Sequence, residues 1–128
     1  MAGELVLIVE DNDKNLELVQ DILELRGFDT VAATCGLEAL SLARTHRPSL
    51  VLLDIQLPDI DGIEVLRRLH ADPATADIPV VAVSAFAMSG DRARFLGAGC
   101  VDYVAKPIDL RALPRLVERY CRGSRIVP

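Results

Sequence analysis

The sequence contains no apolar run long enough to span a bilayer, and its start shows no signal-peptide pattern. A soluble, cytoplasmic protein with no membrane partner is therefore expected. Cysteine is sparse: Cys35, Cys100 and Cys121 are odd in number, lie far apart and form no ligand spacing. They argue against a disulfide framework or a zinc site and for reduced thiols. Positive charge is also in short supply, since 14 Lys and Arg against 19 Asp and Glu leave a net charge of -5. Basic side chains supply most of the affinity for a phosphate backbone, so no nucleic-acid partner is expected. Internal repeats and low-complexity segments are absent. A chain of 128 residues, 51% apolar, suits one domain with a two-layer core. The whole of 1–128 is read as that single domain, with its core over about 4–122 and a loose tail at 123–128.

What is present is an alternation of two patterns. Five short runs read as strands: 5–9 (LVLIV), 30–33 (TVAA), 50–53 (LVLL), 80–83 (VVAV) and 101–105 (VDYVA). Most are continuously apolar, as parallel strands covered on both faces must be. The second, flanked by Asp29 and Thr34, is the weakest and belongs at a sheet edge. Helical periodicity fills the gaps. Leu16, Val19 and Leu23 share a face behind a cap at Asn12 or Asp13, and Gly27 stops that helix. Leu37, Leu40 and Ala43 predict a second helix ended by Pro48; Ile63, Leu66 and Leu69 predict a third, closed before Pro73. A short fourth lies around 91–96. Leu110, Leu113, Leu116, Val117 and Tyr120 mark the last, in which Pro114 demands a distorted first turn or a start later than Asp109. Five βα units with right-handed crossovers make an α/β, doubly wound parallel sheet, a flavodoxin-like (βα)5 fold with strand order 2-1-3-4-5.

Ligands of such sheets bind beyond the carboxyl ends of the strands. The first strand is followed by Glu10 and Asp11, the third by Asp54, the fourth by Ser84 and the fifth by Lys106 and Pro107. Each has a plain structural explanation when taken alone. Asp11 can cap a helix, Ser84 can bond a nearby amide, and Lys106 can sit in solvent. Asp54 is harder to explain so, because the end of an apolar strand offers a carboxylate no cap to make. Together, on consecutive strands, the five converge on one edge. Three clustered carboxylates repel one another unless a cation joins them, and hard oxygens without nearby sulfur or histidine favour Mg2+. With the metal and Lys106 the site is close to neutral and can accept an anion. A phosphoryl group fits: Asp54 attacks phosphorus, and Lys106 and Ser84 hold its oxygens.

Four motifs in order, "LIVEDN", "LLDIQLPDIDG", "VVAVSA" and "YVAKPI", resemble the receiver domain of two-component response regulators over essentially the whole chain. The resemblance implies that Asp54 is the phosphoacceptor, served by a histidine kinase or histidine phosphotransfer protein. It implies Mg2+ held by Asp11, Asp54 and the Gln56 backbone carbonyl, with Glu10 acting through water. Ser84 and Tyr103 become the switch pair, the Lys106–Pro107 bond becomes cis, and Gln56 and Phe86 flank the phosphate. The chain is then a signalling module rather than an enzyme, catalysing only its own phosphorylation and dephosphorylation. "DIQLP" and "AVSAFAMSGDR" further resemble stand-alone alphaproteobacterial cell-division regulators and the receivers of hybrid kinases. Action by docking follows, through the face of the fourth helix, fifth strand and fifth helix, which carries Phe95, Tyr103 and Tyr120. The first helix, with Asn15, Leu16 and Val19, is expected to meet the histidine-bearing helices.

Two other functions compete, the first sharing the fold and the second nearer in chemistry. A flavodoxin-type carrier would cradle a flavin phosphate where Glu10 and Asp11 repel it. An aspartyl-nucleophile phosphohydrolase would place a general acid two residues after Asp54, where Gln56 stands.

Overall fold

The structure, a computed structural model, describes residues 4–85 and 91–125, the side chains of residues 91 and 122–125 excepted. Strands and helices alternate: β1 (Leu5–Val9), α1 (Asp13–Leu25), β2 (Asp29–Ala33), α2 (Gly36–His46), β3 (Leu50–Asp54), α3 (Gly62–Ala71), β4 (Val80–Ser84), α4 (Asp91–Gly97), β5 (Asp102–Ala105) and α5 (Leu113–Arg125). The five strands are parallel in the order β2-β1-β3-β4-β5. The polar second strand does sit at an edge.

Strand side chains alternate between faces, so the continuous apolar runs supply two cores at once. Leu7 and Val9 of β1 and Val51 and Leu53 of β3 pack with Ala39, Ala43, Leu66, Leu69 and Phe95 of α2, α3 and α4. Val6, Ile8, Leu50 and Leu52 face the other way, onto Leu16, Val19 and Leu23 of α1 and Val117 and Cys121 of α5. Full burial of each leucine or valine contributes about 1.5–3 kcal/mol.

Local chemistry sets the helix ends. The Asn12 side chain accepts the Asn15 N–H at α1, and beyond α1 the Phe28 and Gly27 N–H groups return to the Leu23 and Glu24 carbonyls, with Gly27 at φ 90°. The anomaly at Pro114 resolves as a late start: α5 begins at Leu113, so the proline lies in the first turn, where it removes no helical hydrogen bond. Asp109 instead opens the preceding turn by accepting the Arg111 N–H.

Three sequence expectations need correction. Asp54 and Ser84 are the last residues of their strands rather than the first beyond them, whereas Val101 lies just outside β5. Leu37 is 54% exposed, and the buried stripe of α2 is Gly36, Ala39 and Ala43. The reason is the tight packing of α2 on Ile60, which admits only a glycine at position 36. Leu110 lies in the turn before α5 rather than in its stripe.

Candidate functional site

The carboxyl ends of β1, β3, β4 and β5 are neighbours, and backbone hydrogen bonding continues past them: Ile55 N–H reaches the Val83 carbonyl at 3.0 Å and Lys106 N–H the Ser84 carbonyl at 2.8 Å. This fixes the residues that follow each strand against their neighbours. Asp54 is 2% exposed, Glu10 4% and Ser84 1%, whereas Asp11 is solvent-exposed. Burying two carboxylates demands compensation. Lys106 supplies it, its Nζ lying 2.8 Å from Asp54 Oδ2 and 3.0 Å from Glu10 Oε1. Backbone donors complete the arrangement: Gln56 N–H donates to Asp54 Oδ1 at 2.9 Å and Asn12 N–H to Glu10 Oε2 at 3.2 Å.

The charges shift one another accordingly. Burial pushes the Glu10 carboxyl up, the hydrogen bonds from Lys106 and the Asn12 N–H pull it back, and the charge of Asp54 adds to the rise. Burial works against the Lys106 ammonium, but the hydrogen bonds and charges of Asp54 and Glu10 together outweigh it and hold its proton more tightly than usual. The site is an ion triad with one carboxylate charge in excess even before Asp11 is counted.

That excess fits a divalent cation. Carboxylate oxygens of Glu10, Asp11 and Asp54 all lie within 4.8 Å of one another. The donors are hard oxygens only, and one of the three carboxylates faces solvent. Such a set suits Mg2+, which keeps several of its waters.

Of the residues singled out from the sequence, Glu10, Asp11, Asp54, Ser84 and Lys106 come together at this edge. The Lys106–Pro107 peptide is cis. Gln56 meets Asp54 through its N–H. Tyr103 stands lower on β5, opposite Ala82, its ring 5.2 Å from that of Phe95. Phe95 itself is only 2% exposed and belongs to the core, so on its face Tyr103 and Tyr120 remain partly accessible. Phe86 lies outside the described residues. Beside the triad, a groove of about 520 Å³ runs between α1 and the segment after β5, lined by Asn15, Leu18, Val19, Lys106, Pro107 and Ile108 among others. Leu16 is not part of it, being buried among the α1 and α5 contacts, and Leu18, 50% exposed, takes the place expected for it.

Sequence reasoning gave no task to the two residues that shape the loop after β3. A Cβ on Gly62 would lie 2.5 Å from Ile55 Cα and 2.9 Å from the Asp54 carbonyl oxygen, so α3 closes backbone to backbone against the strand end that bears Asp54. Asp59 accepts hydrogen bonds from the N-terminus of α2.

The family model described as the response regulator receiver domain matches residues 6–118. The chain belongs to that family. Among curated receiver proteins it is 50% identical over 113 residues to the polar-differentiation response regulator DivK of Brucella anthropi, covering 88% of this chain and 89% of that one. The DivK protein of Brucella ovis is 49% identical over the same length. Among solved structures, the receiver domain of Francisella response regulator 1452 superposes with a TM-score of 0.89 at 28% identity, over 95% of this chain and 99% of that one. The receiver domain of the sensor histidine kinase PA1611 of Pseudomonas aeruginosa PAO1 gives 0.86 at 33% identity, over 94% and 99%; a magnesium ion is coordinated in its active-site cleft. This is a receiver domain of two-component signalling, similar to DivK, with an acidic cluster consistent with a Mg2+ site. Among the described residues, no helix is long and apolar enough to cross a membrane.

Proposed function

We propose that this receiver accepts a phosphoryl group on Asp54 from the phosphohistidine of a kinase or phosphotransfer protein. The observation that carries the reading is the buried triad, in which one ammonium spans two carboxylates beside a third. A carboxylate oxygen of Asp54 forms the bond to phosphorus as the bond from phosphorus to the donor imidazole nitrogen breaks, and the electron pair stays on the imidazole. Lys106 exchanges its bond to Asp54 for one to a phosphoryl oxygen, and the Ser84 hydroxyl takes another. Asp11, Asp54 and the Gln56 carbonyl would hold Mg2+, with Glu10 acting through water. The bound ion would supply charge neutralisation at the phosphoryl oxygens.

The chain then acts as a receiver in the cytoplasm. The groove between α1 and Pro107–Ile108 receives the histidine-bearing helix, with Leu18 as its apolar contact. Movement of Ser84 and Tyr103 alters the face formed by α4, β5 and α5 for a protein partner. Gln56 leaves no carboxylic acid two residues after Asp54 to speed release of phosphate, which favours a stored acyl phosphate over turnover of esters.

The test is intact mass after incubation with acetyl phosphate and Mg2+. One phosphoryl adduct is expected, lost in Asp54→Asn and on chelation of the metal. An adduct that survives Asp54→Asn would overturn the assignment.

A further inference from the structure

The loop of residues 55–61 leaves the strand that carries Asp54, and it is fastened at its middle to a helix that otherwise takes no part in the site. Both carboxylate oxygens of Asp59 are used: Oδ1 accepts the Gly36 N–H at 2.7 Å and Oδ2 the Leu37 N–H at 2.9 Å, across 23 and 22 residues of sequence. Neither N–H group has a partner within α2, and at the second of them the side chain of the residue before the helix is a usual acceptor. That position is Cys35, and its side chain makes no capping bond. The cap is instead imported from the phosphoacceptor loop. Ile60 reinforces it, since a Cβ on Gly36 would lie 2.5 Å from Ile60 Cγ1. Hydrogen bonds from the Leu37 and Gly36 N–H groups hold the Asp59 carboxyl well below the usual carboxylate range.

We propose that Asp59 is a positioning residue of the metal site: by latching the loop to the N-terminus of α2 it fixes the main chain at Gln56 and so sets how tightly Mg2+ is held beside Asp54. The proposal rests on the phosphoacceptor reading above. Gln56 is bound at its own N–H to Asp54 and stands three positions before Asp59, with Pro58 limiting the chain between them. With both ends of that short segment tied, the Gln56 carbonyl has a defined direction. Without the latch, the order of the loop must be supplied by the metal's own binding energy, which lowers its apparent affinity.

The test separates a latch from an ordinary helix cap. Mg2+ is titrated calorimetrically into the unaltered protein, Asp59→Ala, Asp59→Asn and Glu38→Ala, and each is also melted and phosphorylated by acetyl phosphate at saturating Mg2+. Glu38→Ala removes a bond from the Thr34 N–H, 2.8 Å long, at the same end of α2 without touching the loop. Asp59→Ala is expected to weaken Mg2+ binding by about tenfold, and Asp59→Asn, which keeps one acceptor oxygen, by less. The rate at saturating Mg2+ should change by less than about twofold, since the residue acts through binding. Glu38→Ala should lower Tm and leave the Mg2+ affinity unchanged. Unaltered Mg2+ affinity in Asp59→Ala together with a lower Tm would overturn the latch and leave a cap, as would an equal loss in Glu38→Ala. If Asp59→Ala does not fold, Asp59→Asn decides by the same criterion. Absence of Mg2+ binding by the unaltered protein would instead overturn the phosphoacceptor reading, and the latch with it.

Discussion

Cys100 and Thr75, at the amino edge of the sheet, are buried as deeply as Glu10 and Asp54 at the carboxyl edge: 6% and 2% exposed against 4% and 2%. The two edges treat their buried polar groups differently. Thr75 is neutral and gives its hydroxyl proton to the Leu69 carbonyl at 2.7 Å, and burial pushes the Cys100 thiol up to about 11, so it too stays neutral. Glu10 and Asp54 instead share one ammonium between them. At the amino edge the described residues show that the fold can bury polarity cheaply by pairing or neutralising it. The excess carboxylate charge lies at the carboxyl edge, where the proposed function brings in a cation and a phosphoryl group.

Removing the shared cation breaks that contrast most severely. Lys106→Met leaves two buried carboxylates without a counter-charge and should cost about 3 kcal/mol at neutral pH, measured by urea denaturation. Mg2+ should restore much of the loss. So should acid, because a Glu10 whose proton affinity is already raised takes up a proton and removes one of the charges. A Lys106→Met protein as stable as the parent in chelator would show that the triad is not under electrostatic strain.

The second effect sharpens the comparison from the neutral side. The folded-state pKa of Cys100 lies above its ordinary value, so between pH 9.0 and about 11 the folded protein binds more protons than the unfolded one. Stability is fully present below that window and falls by about 2–3 kcal/mol as the pH rises through it. In Cys100→Ala this alkaline slope should flatten. The smallest effect is at Thr75, where Thr75→Val should cost about 1 kcal/mol for one lost hydrogen bond. Phosphorylation by acetyl phosphate should be untouched. A change in phosphorylation would mean that the two edges communicate through α3.

The sheet was legible in the sequence because parallel strands buried on both faces leave continuous apolar runs, and the residue that breaks each run is the one placed at the ligand edge. Glu10, Asp54, Ser84 and Lys106 were found in that way. Their mutual contacts were not, since the Lys106 bond to Glu10 joins residues 96 apart and no local pattern encodes it. Asp59 is the sharpest case of the same limit. Capping is recognised by a polar residue next to its helix, and here the cap comes from another loop while Cys35 occupies the expected place. The exposed side of α2 was misjudged for a related reason. Leucine at 37 and glycine at 36 suggest the opposite burial until Ile60 is seen to fill the space in front of Gly36.

The contact of Gly62 with Ile55 has a mechanical consequence. Most neighbours in a protein touch through side chains, which rotate and take up small displacements before the backbone feels them. Here main chain rests on main chain, with a hydrogen bond of 2.9 Å from Gly62 N–H to the Ile55 carbonyl. The joint has no play. A displacement of the end of β3 should therefore carry the first turn of α3 with it, as a lever moves when its fulcrum is displaced.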